Sequence, residues 1–419
     1  MHGWRSRGGA CAALIAAVAI LTGCSSGAAA VLHVRLDAGP AVAALVTPIH
    51  VTVSGLPPGG AVTLRARTTD YEGRHWQSAA QFRATSTGRL NLATAVPVSG
   101  SYHVADAAGL LWSLRPAFTS NPDAQFIENY TGFTVTLQVL AGGRVEATST
   151  LRRVDVPPTS TQTVHQDGFA STLFAPARPR PGAPVIVLIG GSEGGEPTFE
   201  ASALAVSGYP SLALGYFDEP GLPKCLCDIP LEYFARAVRW LRSQPVARGR
   251  PVILWGASRG GEGALLIASY EPHLFDAVIA SSPSALNNGS YGPGASRTRS
   301  AWTWHGKPLQ VGTFIPVNRI RVPLLLGDGG QDAVWNSAGS VTEIVSELRA
   351  AHDPAPYTNL YYPNAGHAFL GTPPYFPYSA YGGTGQVRLL MGGTQAADAQ
   401  ADERSWVQMI AFIANPWRR

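Results

Sequence analysis

The sequence predicts an all-β sandwich followed by an α/β domain, and three observations carry that expectation. From Val31 to about residue 155, short apolar segments alternate with period two, as in Ile49-His50-Val51-Thr52-Val53 and Ala61 to Ala66. Turn clusters at Gly55 to Gly60, Ser86-Thr87-Gly88 and Ala141-Gly142-Gly143 separate them, the pattern of half-buried antiparallel strands. Farther on, continuous apolar runs such as Pro184 to Ile189 alternate with helical stretches, as strands covered on both faces by helices do. One such run, Pro251 to Trp255, feeds the G-x-S-x-G turn Gly256-Ala257-Ser258-Arg259-Gly260, and a helical stretch follows from Gly263.

Length and composition agree with two packed domains: 419 residues, 45% hydrophobic and only 14% charged. The net charge of +4 comes largely from Arg5, Arg7, Arg418 and Arg419. With no long basic block between them, nothing calls for a nucleic-acid partner. Arginine far outnumbers lysine, which occurs only at Lys224 and Lys307, and alanine and glycine abound, a compositional pointer to a GC-rich bacterial genome.

The first stretch reads as an address. Arg5 and Arg7 precede the apolar run Ala10 to Leu21, which is too short to span a bilayer comfortably and ends in Leu21-Thr22-Gly23-Cys24. Those four residues resemble a bacterial lipobox, so residues 1–23 are expected to be a lipoprotein signal peptide, Cys24 the lipid attachment site and 24–30 a tether. The expected place is the cell membrane, facing outside the cytoplasm. An ordinary secretory signal cut near Gly27 to Ala30, or a single anchor helix, remains the alternative. Of the cysteines, only Cys225 and Cys227 then stay in the mature domains. Their C-x-C spacing closes a small ring, so a disulfide there is expected to be labile, and no His pair or further cysteine lies nearby at metal-ligand spacing.

The chemistry-bearing residues stand in chain order within residues 156–419. A strand that turns straight into a helix with serine at the apex tolerates only small neighbours, here Gly256, Ala257 and Gly260. That geometry lifts the Ser258 hydroxyl out of the sheet and aims the Arg259 N–H at a developing oxyanion. Upstream, Gly190-Gly191-Ser192-Glu193-Gly194-Gly195 follows the Pro184 to Ile189 run where α/β-hydrolases place their second oxyanion donor. The backbone N–H groups of Gly191, Ser192 and Glu193 are assigned that role, and the absence of a G-K-[ST] ending argues against a phosphate loop. Downstream, the run Val322 to Leu326 opens onto two acids, Asp328 and Asp332. The carboxylate must sit past the strand end to reach back to an imidazole, which favours Asp332 and leaves Asp328 to order the turn. Gly366-His367, after Tyr361-Tyr362, completes the order Ser, Asp, His, whereas His352 ends an amphipathic helix and is a decoy. No metal or cofactor is required.

Pro57-Pro58-Gly59 after a β run, then Gly109-Leu110-Leu111-Trp112-Ser113-Leu114, then the elbow, resemble the acyl-CoA thioesterase / bile acid-CoA:amino acid N-acyltransferase family over nearly all of the mature chain. The resemblance implies an immunoglobulin-like domain at 31–155 and an α/β-hydrolase catalytic domain at 156–419, with the junction inside Leu151 to Val164. It also implies the carboxylate at Asp332, just before the residues leading to Trp335, and a loop bordering the active site that brings Cys225 and Cys227 near its mouth. Residues 287 to 304, without periodicity, are expected to form a cap, and Trp406 to Ala414 a closing helix. The implied substrate is an acyl-CoA thioester, in tension with an exported protein, for which other acyl esters or thioesters are the alternative. Conjugating members carry cysteine at the elbow. Serine at 258 favours hydrolysis, with N-acyl transfer and a lipid-anchored binding module with a vestigial hydrolase domain as alternatives. No obligate protein partner is inferred.

Overall fold

A computed structural model of the chain describes residues 33–117, 124–127, 132–154, 159–166, 168–351, 355–367, 371, 373–378, 381–382 and 389–417. The expected signal segment, Cys24, the tether and His352 lie outside the described residues.

Alternation along the early segments resolves into two facing sheets. Ala61–Thr69 pairs antiparallel with His75–Arg83 and with Phe133–Ala141, and Arg144–Val154, Val42–Ala44, Ser99–Gly100 and Arg115–Pro116 complete a seven-stranded sheet. Arg35–Asp37, Thr52–Ser54 and Leu90–Asn91 form the second. Because successive side chains point to opposite faces, Val62, Leu64 and Ala66 turn inward beside Val135, Leu137 and Val139, and meet Val53 and Leu90 of the opposite sheet. The run read as core, Gly109–Trp112, is a short helix with all four residues buried.

From Thr159 the chain builds an eight-stranded sheet, in the order Thr159–Gln166, Phe169–Pro176, Ser211–Gly215, Val185–Ile189, Val252–Ala257, Ala277–Ser281, Leu324–Gly329, Tyr357–Tyr362. The first two pairings are antiparallel and the remaining five parallel. Both faces are covered, which explains the uninterrupted apolar runs. Val185, Val187 and Ile189 pack with Glu232–Ser243, Arg259–Tyr270 and Ser337–Ala350 on one side, through Val238, Leu265 and Val341 among others. Ile186 and Leu188 pack with Thr198–Val206 and Gln395–Ala414 on the other, through Leu204 and Met409. This is the α/β-hydrolase architecture, joined to a β-sandwich.

The structure departs from the sequence expectation in three places. Thr159 to Val164, expected inside a linker, begin the eight-stranded sheet; as an edge strand they carry the polar Thr and Gln residues that hid them. The closing helix starts at Gln395, well before Trp406, capped by Thr394 Oγ1, which accepts from Ala397 N at 3.2 Å. Its buried early positions are Asp398, Ala401 and Asp402, which give no hydrophobic period. The cap 287–304 is organised: Trp302–Trp304 pairs with Ile229–Pro230, and Trp302 is fully buried. Beside it, Cys225 and Cys227 form a disulfide, and Leu226 between them bridges to Tyr291.

Candidate active site

Ser258 caps the helix Arg259–Tyr270 with φ 57° and ψ −119°, a conformation rarely adopted by a side-chain-bearing residue. The surroundings over-determine it. Ser258 N–H donates to Ser281 O at 2.8 Å, and Glu262 N–H donates to Ser258 O at 3.1 Å. A Cβ on Gly256 would stand 2.1 Å from Gly260 O, and one on Gly260 2.3 Å from Gly190 O, so hydrogen is the only side chain either position admits. The strand and helix thus meet through bare backbone, which pushes the serine side chain out of the turn.

His367 follows the last strand of the sheet. Its Nε2 lies 2.8 Å from Ser258 Oγ, across 109 residues of chain, and its Nδ1 lies 2.8 Å from Asp332 Oδ2. With Nδ1–H donated to the carboxylate, Nε2 is left to accept the serine proton. Asp332 Oδ1 accepts the N–H groups of Val334 at 2.9 Å and Trp335 at 3.1 Å, so the carboxylate is aimed by its own loop. The Trp335 ring stands edge-on to the imidazole at 5.3 Å and 83°. The histidine backbone is held as firmly: His367 N–H donates to Met391 O at 2.8 Å, and Ser282 Oγ donates to His367 O. Asp328, the other acid, is buried in the sheet, hydrogen-bonded to Asn359, and burial pushes its carboxyl up to about 7.

Behind the imidazole, Asp398 Oδ1 accepts Gly366 N–H at 2.6 Å. Gln395, on the same helix, donates through Nε2 to Trp112 O at 2.7 Å and Tyr378 O at 2.8 Å. The Gly109 to Leu114 segment of the sandwich therefore braces the helix that braces the histidine turn.

On the other side, the Arg259 guanidinium pairs with Glu262 at 3.2 Å, both side chains nearly inaccessible, and donates to Gly289 O at 3.0 Å. Glu262 also accepts from Trp302 Nε1 at 2.8 Å and from Asn288 N–H at 3.0 Å, and burial pushes its carboxyl upward against these partners. One buried ion pair on the elbow helix thereby anchors the cap. The (i, i+3) spacing of Arg259 and Glu262 was the signal for it in the sequence.

One expectation needs correction. Arg259 N–H stands at the helix N-terminus, and Gly191, Ser192 and Glu193 form the turn after Val185–Ile189. Yet Gly191 N–H is not open: it donates to Glu193 Oε1 at 2.5 Å, and the Glu193 backbone N–H is engaged by the same carboxylate. A flexible side chain reaching back two residues finds a donor with no other partner, which a backbone reading of the loop does not reveal. Among the described residues, no group of three or more His, Cys, Asp or Glu stands together as metal ligands would.

Comparison with known proteins follows the same lines. Residues 46–166 match the family described as Acyl-CoA thioester hydrolase/BAAT N-terminal region, and residues 229–293 and 292–416 match BAAT / Acyl-CoA thioester hydrolase C terminal. Acyl-coenzyme A thioesterase 1 of Homo sapiens is 32% identical over 397 residues, covering 87% of this chain and 92% of its own. The mitochondrial acyl-coenzyme A thioesterase 2 of Mus musculus is 33% identical over 394 residues, covering 87% and 85%. Among solved structures, a dienelactone hydrolase of Anabaena variabilis aligns at 16% identity over 60% of this chain and 98% of its own, with a TM-score of 0.35. On its two matched regions and its full-length relatives, the chain belongs to the acyl-CoA thioester hydrolase/BAAT family.

Proposed function

We propose that the protein hydrolyses acyl thioesters through a serine acyl-enzyme, with Ser258 as nucleophile, His367 as base and acid, and Asp332 as the group that orients it. The observation that carries this reading is the continuous hydrogen-bonded path from Asp332 Oδ2 through His367 to Ser258 Oγ, at 2.8 Å on each side. His367 Nε2 takes the hydroxyl proton as Oγ attacks the acyl carbon, and the carbonyl π electrons move to oxygen. Collapse of the tetrahedral intermediate breaks the C–S bond, and the imidazolium returns its proton to the thiolate. Water, deprotonated by the same imidazole, then releases the free acid and restores Ser258. The Arg259 N–H is the donor for the oxyanion, the Gly191 and Glu193 N–H groups being taken in the structure, and losing one such donor typically costs about 100- to 1,000-fold in rate.

The relatives are named for acyl-coenzyme A, which makes acyl-CoA thioesters the first substrate class to test. The Leu21-Thr22-Gly23-Cys24 address argues for a lipid-anchored protein outside the cytoplasm, where other acyl thioesters or esters take their place. Turnover of acyl-CoAs and p-nitrophenyl esters of graded length, with fluorophosphonate labelling, tests the reading. Ser258→Ala is expected to lose both turnover and label; retained turnover would sink it.

A further inference from the structure

The Glu193 carboxylate has no part in the mechanism above, yet it sits among that mechanism's groups. Its Oε1 takes the Gly191 N–H at 2.5 Å. Its Oε2 and Ser258 Cβ lie 2.8 and 3.1 Å from the point where a Cβ on residue 191 would stand, so the carboxylate and the nucleophile flank the same small space. The loop beneath is pinned, because Tyr216 O–H donates to Gly190 O at 2.8 Å and Gly191 O at 3.1 Å. Directly beyond it, Gly194 and Gly195 both have φ 74° and Gly195 N–H donates to Phe217 O at 3.1 Å, so the backbone is held on this side too and the movable part is the Glu193 side chain. Protein surrounds the carboxyl on most sides and desolvation pushes its pKa up, against the two N–H donors and His367, although the residue as a whole is open to solvent along one side. That open side is an exit path.

We propose that Glu193 is an autoinhibitory gate: its carboxylate occupies a donor that an acyl carbonyl oxygen needs, and it must swing into solvent before Ser258 can be acylated. This rests on the serine acyl-enzyme reading above. Expelling the carboxylate from its hydrogen bonds is a fixed cost to every acyl donor, so it lowers kcat/KM by one factor for short and long donors alike. A charge-assisted hydrogen bond of this kind corresponds to roughly 10- to 100-fold in occupancy.

The test uses the mature full-length chain with Glu193→Ala and Glu193→Gln, assayed for kcat/KM on p-nitrophenyl acetate and on a long-chain acyl-CoA. Glu193→Ala is expected to raise kcat/KM for both substrates about 10- to 100-fold, with their ratio changing by less than about 3-fold. Glu193→Gln, which keeps the shape without the charge, is expected to fall between. The rate of fluorophosphonate labelling should rise in the same order, because the phosphonyl oxygen needs the same donors. A fall on both substrates in both variants would overturn the gate and make Glu193 an assisting group. Unchanged kcat/KM on both substrates, with Ser258 still labelled, would overturn the gate and leave the hydrolase standing. If wild type takes no label and Ser258→Ala keeps its turnover, both readings fall.

Discussion

Asp332 Oδ2 stands 2.8 Å from His367 Nδ1, while Asp332 Oδ1 is held by two N–H groups of its own loop. One oxygen is thus used to aim the other. Asp328, four residues earlier, lies within the strand Leu324–Gly329 and bonds to Asn359 instead.

Asp332→Asn is therefore expected to lower kcat by about 1,000- to 10,000-fold, because an amide that donates to Nδ1 imposes the wrong imidazole tautomer. Asp328→Asn should cost less than about 10-fold, since losing a buried ionisable group leaves the imidazole's partner in place. Steady-state kinetics on one ester decides between them, and the reverse ranking refutes the assignment.

Gly260→Ala should be far worse than an ordinary glycine-to-alanine change in a helix, which costs about 1 kcal/mol or less. The new methyl would meet Gly190 O at 2.3 Å and Ile189 O at 2.6 Å, backbone atoms of the central sheet that cannot move aside cheaply. Thermal unfolding and fluorophosphonate labelling of the variant should both fall; a fully labelled protein with unchanged Tm would contradict the packing described for the elbow.

Serine where the conjugating relatives place cysteine bears on water against amine as the acyl acceptor. A thiolate paired with histidine gives a thioester intermediate that amines attack well. Ser258→Cys should lower hydrolysis of oxygen esters while raising the ratio of amide to free acid when glycine or taurine competes with water. Wild type forming mostly amide would replace hydrolysis by transfer.

In a bacterial host, the address predicts membrane partition and an acylated Cys24, and Cys24→Ser should abolish the lipid modification. A fully soluble, unmodified chain starting at Met1 would restore cytoplasmic acyl-CoA as the leading substrate.

Asp398 and Asp402, one turn apart on the helix behind the histidine, are buried like charges. Desolvation pushes Asp398 up to about 7, against its bond to Gly366 N–H, and pushes Asp402 well above the usual carboxylate range, with Asp398 adding to the push. In the unfolded chain both titrate near 3.9, so between about pH 4 and 7 the folded state holds more protons than the unfolded one. The stability carried by these protonated carboxyls is lost as pH rises through the folded-state values. Tm should be lower at pH 8 than at pH 5, and Asp402→Asn should narrow that difference; an unchanged difference would remove the pair from the account.

Local chemistry made part of this protein legible in the sequence alone. The elbow is steric and contiguous, so Gly256, Ser258 and Gly260 announce it without reference to the rest of the chain. Apolar runs with a period of two or none reveal strands because burial on one face or both is imposed residue by residue. What only the tertiary structure decided lies between distant residues or in the direction of a flexible side chain. Sheet order brings Asp332, which its place past the strand end had favoured over Asp328, to His367 across 35 residues, and His367 to Ser258 across 109. The closing helix hid its beginning, because alanine and paired aspartates carry no hydrophobic period and gain their meaning only from what they face. Glu193 was visible as a residue of the turn after Val185–Ile189, but which N–H its carboxylate takes depends on a rotamer and the space beside Ser258, neither of which a linear sequence contains.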